Sequence, residues 1–244
     1  MNKAKPYHEI KFPVNTVQLL SLKEKFGRIC NPDKNGLSGR YEVLSIYFDS
    51  PDLKFYRQKV EGEFNKLKVR LRFYRNDPRT EWKKARLELK TRAGNMVSKH
   101  RLESGLLKDC SADNWSKLDL RSVLLNELTD KDNFSEILTT HLKPLIAVFY
   151  QRTAYEAKEI FGCRLTFDER IIGFDPARIA DFSRDDYGLE SVKHPTTSIF
   201  EIKSYFEAPE CILNQVERLG VARQSYSKYS ALLSLSLEKT GMEG

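Results

Sequence analysis

The sequence predicts an α+β protein: a closed antiparallel β-barrel of roughly eight strands with helices packed on its outside. Three observations carry this prediction. Segments that alternate apolar with polar residues recur along the 244-residue chain, at the period of two that half-buried strands show. The segments with helical spacing carry a single apolar stripe, which needs an apolar sheet surface to cover it. Closing the sheet removes exposed strand edges and gives the two faces of every strand an inside and an outside.

The elements follow in chain order. Residues 7–12 (YHEIKF) alternate as a short strand. Asn15 or Thr16 caps a helix to about Ile29, with Leu19, Leu22, Phe26 and Ile29 on its apolar face. Residues 31–39 are a loop by composition, and residues 43–49 a strand with Leu44, Ile46 and Phe48 on one face. Residues 50–52 start a turn that runs as about one helical turn through Tyr56 and Arg57. The clearest strand is 66–75, KLKVRLRFYR, where Leu67, Val69, Leu71 and Phe73 oppose Lys66, Lys68, Arg70, Arg72 and Tyr74. A turn at 76–80 leads to a strand at 85–92, a hairpin turn at Ala93, Gly94 and Asn95, and a return strand at 96–102. Residues 109–143 read as a helical insert on the outside of the sheet. Strands at 147–156 and 163–169 follow, then a long irregular loop over 173–198 with a short strand near Ile171. A strand at 199–205, a helix between Pro209 and Gly220 and a final helix over 230–238 complete the chain. No linker or internal repeat divides it, so residues 1–244 are expected to form one domain.

The net charge of +7 and a pI near 9.1 favour an anionic partner. No apolar run approaches the ~20 residues of a membrane span, and the N-terminal stretch lacks the apolar core of a signal peptide. Cys30, Cys110, Cys163 and Cys211 form no CxxC pair or zinc spacing, so they are read as free thiols of a cytoplasmic protein. The four histidines form no ligand array.

The charged faces are the informative feature. In a closed barrel, Lys11, Lys68, Arg70, Arg72, Lys90, Lys99, Arg101, Arg152, Arg164 and Lys203 share the inner face with Glu9, Glu88 and Glu201. Burying a cation without a partner costs several kcal/mol. Three acids do not balance ten bases, so the bore fits a ligand with closely spaced negative charges, such as a phosphate chain. Carboxylates among the bases suit a divalent ion bridging phosphate oxygens. Nucleic acid is disfavoured, because the bases are spread over many strands and do not line one surface helix or aromatic platform.

In order along the chain, YFDSPDLKFYRQK, KVRLRFY, ELKTR, FYQRTAYE, RLTFDE, FEIK and SYSKYS resemble the catalytic domain of vacuolar transporter chaperone (VTC) polyphosphate polymerases. These belong to the triphosphate tunnel metalloenzymes, with the CYTH-type triphosphatases. The resemblance runs from about Tyr7 to Tyr229. It implies ATP and polyphosphate or triphosphate as ligands, Mn²⁺ or Mg²⁺ as cofactor, and a membrane-protein partner for the product that no residue here displays. By the resemblance, Arg70, Arg72, Lys90, Arg152, Arg164, Lys203 and Lys228 act on the phosphates. Lys11, Lys68, Lys99, Arg101, Tyr150 and Ser227 add to substrate binding, with Ser227 and Lys228 closing one end. Glu201 is the main metal ligand, with Glu9 and Glu88 as further candidates. One departure stands out: the triphosphatases begin with ExExK, whereas Tyr7 stands here where the first glutamate would be. The lost carboxylate tilts the expectation from hydrolysis toward ATP-driven extension of polyphosphate. A tripolyphosphatase, a nucleoside triphosphatase and a non-catalytic polyphosphate-binding module remain the alternatives.

Overall fold

The computed structural model describes residues 2–3, 5–128, 134–158, 160–179, 191–193 and 198–240. Its strands are β1 (Asn2–Lys3), β2 (Tyr7–Val14), β3 (Cys30–Pro32), β4 (Arg40–Asp49), β5 (Asn65–Arg75), β6 (Arg86–Ala93), β7 (Met96–Leu102), β8 (Lys143–Ala157), β9 (Cys163–Phe174), β10 (Val192–Lys193) and β11 (Ser198–Ser204). Its helices are α1 (Thr16–Ile29), α2 (Lys54–Val60), α3 (Leu120–Glu127), α4 (Ser135–Thr139), α5 (Glu210–Glu217) and α6 (Lys228–Thr240). Eight strands form a closed antiparallel ring in the order β9-β11-β2-β7-β6-β5-β4-β8, and the β8–β9 pairing completes it.

The period of two decides what faces outward. Leu67, Val69, Leu71 and Phe73 of β5 join Leu44 and Ile46 of β4 and Leu87 and Leu89 of β6 beneath α2, α3 and α4. On the opposite flank, α1 lays Leu19, Leu22 and Phe26 over β2, β9 and β11, with α5 beside it. Phe200 lies at the centre of that flank, its ring centroid 4.8 Å from Phe167 and 5.6 Å from Phe26. Each fully buried side chain of this size contributes roughly 1.5–3 kcal/mol. Asn15 caps α1 through a reciprocal capping box with Gln18, which sets the helix start.

The ring is thinly closed at one seam. β2 pairs with β7 only at Tyr7–Val97 and His8–Met96. Beyond His8 the segment before α6 runs beside β2: the Gln224 amide donates to the Lys11 carbonyl at 3.0 Å, and Lys11 Nζ donates to the Tyr226 carbonyl at 3.0 Å. α6 then turns into the same end of the barrel. Its Tyr229, Leu232 and Leu233 pack on the inward-facing Val43, Tyr47, Ile146, Val148, Ile171 and Ile199. Asp49 locks this arrangement, accepting from the Phe55 and Tyr56 amides at the start of α2 and from the Tyr229 hydroxyl at 2.6 Å.

Several expectations need correction. The 109–143 insert is not one helical stretch. Its described part holds a 3₁₀ turn at Trp115–Lys117 and the short helices α3 and α4, and residues 129–133 lie outside the described residues. Asp119 caps α3 on the Ser122 amide, which starts a new helix where the periodicity alone reads through. β9 continues to Phe174, because Arg170 adopts a φ of 52° at a bulge that restores pairing with β8. Much of the expected 173–198 loop, residues 180–190 and 194–197, lies outside the described residues. β3 pairs with β8 although no alternation marked it. No described helix is long and apolar enough to cross a membrane.

Candidate functional site

The inward faces of the ring enclose a cavity of about 1220 Å³. Lys11, Lys68, Arg70, Arg72, Lys90, Lys99, Arg101, Tyr150, Arg152, Arg164, Lys203, Ser227 and Lys228 all line it, together with Glu9 and Glu201. Strand register explains the convergence. Lys68 lies opposite Lys90 and Lys90 opposite Lys99, while Lys203 lies between Glu9 and Arg164.

The cations are held by carboxylates behind or among them. On the β5–β6–β7 wall, Glu88 takes both Arg70 Nε at 3.0 Å and Arg70 Nη2 at 2.8 Å on one oxygen. Arg72 lies 3.5 Å from the same oxygen, Lys99 contacts the other, and Arg101 lies 3.7 Å away. Burial pushes the Glu88 carboxyl up, but Lys99, Arg70 and Arg72 outweigh it and hold the group well below the usual carboxylate range. Arg72 also donates to Ser45 and to the Tyr150 hydroxyl. Burial pushes the Tyr150 phenol up to about 12.

The β8–β9–β11 wall has its own anchor. Asp168, fully buried, takes Arg152 in a two-pronged pair at 2.6 and 2.7 Å and Lys228 Nζ at 2.5 Å. Arg164 pairs with Asp33 and donates to the Tyr41 hydroxyl at 2.7 Å. Neither Asp168 nor Asp33 is among the site residues expected from the sequence. RLTFDE did place Asp168 on the same strand face as Arg164, and that was the available signal. Asp33 sits in the 31–39 loop, where no periodicity marks a side chain's direction.

Glu9 and Glu201 differ from these anchors because they reach the cavity surface. They lie within hydrogen-bonding reach of each other, on the paired strands β2 and β11. Lys11 at 2.7 Å and Lys90 at 2.5 Å flank Glu9, and Lys203 lies 3.3 Å from Glu201. Burial raises Glu9, but Lys11 and Lys90 hold it well below the usual range. Two adjoining carboxylates suit a divalent ion that takes its remaining oxygens from phosphate and water. Among the described residues, no group of three or more His, Cys, Asp or Glu forms a complete protein cage for a metal. Glu88, expected beside the metal, lies beneath the arginines and off the cavity surface.

Among the described residues, the cations lining this cavity outnumber the carboxylates among and behind them, Glu9, Asp33, Glu88, Glu156, Asp168 and Glu201. Burial and the neighbouring cations act on the lysines of this wall. Burial, with Lys11 and Lys90 nearby, lowers the Lys68 ammonium well below its ordinary pKa. Burial likewise brings Lys203 down to about 7, against the pull of Glu201. A polyanion in the cavity relieves this repulsion.

Residues 6–236 match the VTC domain family. The vacuolar transporter chaperone complex subunit 4 of Schizosaccharomyces pombe is 25% identical over 176 residues, covering 65% of this chain. The chain spans only 24% of that relative's length. Among solved structures, a putative adenylyl cyclase from Hippeastrum, described as having a dominant triphosphatase activity, aligns with a TM-score of 0.54 at 15% identity, covering 96% of this chain and 97% of its own. A Mimivirus capping enzyme triphosphatase aligns more distantly, with a TM-score of 0.43 at 10% identity over 88% of each chain. The first of these two structural likenesses agrees with the closed ring.

Proposed function

Since this chain belongs to the VTC domain family, we propose that it catalyses metal-dependent phosphoryl transfer from ATP to polyphosphate inside the basic cavity. The observation that carries the reading is the excess of inward cations around two adjoining carboxylates. Arg70, Arg72, Lys90, Lys99, Arg152, Arg164, Lys203 and Lys228 bind and orient the phosphates. Lys11, Lys68, Arg101, Tyr150 and Ser227 extend that surface. Glu88 and Asp168 hold the arginines at fixed angles, so little reorganisation accompanies charge movement in the transition state.

Glu201 and Glu9 would hold Mn²⁺ or Mg²⁺, which would supply positive charge to offset that of the transferred phosphoryl group. Glu88 is left out of that set because its oxygens are already taken up by cations. The acceptor is the terminal phosphate of a chain, already ionised at neutral pH, so no general base is required. Tyr7 supports transfer over hydrolysis. Burial, with Glu9 and Glu201 beside it, raises its phenol well above the ordinary value. It therefore stays protonated where a water-activating carboxylate would be needed. α6 and the segment before it shield one end of the cavity from bulk water.

The deciding experiment incubates purified protein with ATP and Mn²⁺ and follows product length by gel. Long-chain polyphosphate is expected. Free phosphate alone indicates a triphosphatase, and binding without turnover a polyphosphate-binding module.

A further inference from the structure

The open end of the cavity carries aromatic side chains that phosphate chemistry does not use. Phe161 is 81% exposed and lines the cavity, and Phe206 beside Tyr205 is 61% exposed. Phe161 and Tyr205 both line the cavity mouth, their ring centroids 6.4 Å apart. Lys5 Nζ lies 5.3 Å from the ring centroids of both Tyr205 and Phe206. Gly162 makes the arrangement possible: its φ is +74°, and a Cβ there would sit 2.2 Å from Tyr205 Cδ2. The Tyr205 ring thus lies against the bare backbone of Gly162.

These rings directly continue the phosphate wall. Lys203 pairs across the sheet with Arg164, Tyr205 follows Lys203 by two residues, and Gly162 precedes Arg164 by two. The Nε–H of Arg164 is buried and finds no acceptor among the described residues. Four residues of extended chain, from Glu201 to Tyr205, span about 13 Å. That is roughly the length of an extended nucleoside triphosphate from terminal phosphate to base.

We infer that Phe161 and Tyr205 form a stacking subsite for the base of a nucleoside triphosphate whose phosphates lie along the basic wall. The inference rests on the phosphoryl-transfer reading above and adds where the nucleoside end of the donor sits. Ring stacking does not read the edge of a base, so the subsite accepts adenine and guanine alike.

Calorimetric titration with the non-hydrolysable β,γ-imido analogue of ATP, and separately with tripolyphosphate, tests this. The Phe161→Ala/Tyr205→Ala double variant should bind the ATP analogue about 10- to 100-fold more weakly, on the scale of stacking lost per base. Its affinity for tripolyphosphate should stay at the wild-type value, which also reports an intact fold. Tyr205→Phe, which keeps the ring, should retain affinity for the analogue. No loss for either ligand, or equal losses for both, overturns the inference and leaves the phosphate-binding reading standing. A wild-type protein that binds neither ligand removes both.

Discussion

Glu88 and Glu201 open the same tripeptide pattern, Glu-Leu-Lys on β6 and Glu-Ile-Lys on β11, and both point into the barrel. Their neighbours make them different groups. Glu88 lies opposite Arg70 on one side and Arg101 on the other, so it is enclosed by cations. Glu201 lies opposite Lys11 and the neutral Thr166, whose hydroxyl donates to it at 3.4 Å. Lys203 and Arg152 are 3.3 and 3.7 Å from its carboxylate, so Glu201 keeps a face to the cavity and a second carboxylate, Glu9, beside it. One pattern thus yields a charge anchor in one place and a candidate metal ligand in the other, and cross-strand register makes the choice.

The largest effect expected from this contrast is on stability. Glu88→Gln leaves Arg70, Arg72 and Lys99 buried without their counter-charge and should cost roughly 3–5 kcal/mol in chemical denaturation. Glu201→Gln should cost less, since its cation contacts are longer; equal losses would break the comparison. The pH dependence sharpens it. The Glu88 pKa is lowered on folding, so its contribution is full at neutral pH and is lost as pH falls below the ordinary carboxylate range. Glu88→Gln should therefore flatten the acid limb of a stability–pH curve.

Activity should invert the order. Glu201→Gln should lower metal-dependent turnover by roughly 100-fold or more and weaken Mn²⁺ binding, read by titration calorimetry. Full activity in that variant would remove the metal assignment.

A smaller effect tests the charge excess. The Lys68 pKa is lowered by burial beside Lys11 and Lys90, with Glu9 opposing and Arg70 adding to the repulsion. A bound polyanion raises it again, so tripolyphosphate binding should take up protons between the lowered value and the ordinary lysine value. Affinity should fall as pH rises through that window, by up to about tenfold per unit. Calorimetry in buffers of different ionisation enthalpy reads the uptake, and Lys68→Arg, which stays charged, should reduce it. The smallest effect lies outside the barrel: Asn15→Ala removes the α1 cap and should cost about 1 kcal/mol without changing tripolyphosphate affinity.

Much of the wall is legible in the sequence. Lys68, Arg70 and Arg72 share a face because successive strand side chains alternate, and no neighbour changes that. Asn15 or Thr16 marked the start of α1, and the structure places the cap at Asn15. Asp33 was not legible, because a loop has no period from which a side chain's direction follows. The start of α3 as a separate helix was hidden because apolar residues continue at helical spacing from Trp115 and Leu118 into it, while a local cap at Asp119 begins the helix anew.

By itself the sequence determined which side chains share a strand face, that the shared inner face is basic, and that its motifs resemble one family. Those properties follow from local geometry, in which each residue's direction depends on its immediate neighbours. The tertiary structure alone decided that β8 and β9 close the ring, that α6 fills one end, and that Asp168 joins Arg152 to Lys228. It also decided that Glu9 and Glu201 meet while Glu88 is covered. These depend on register between segments distant in the chain, and the energy that selects a register resides in the assembled core and ion-pair network.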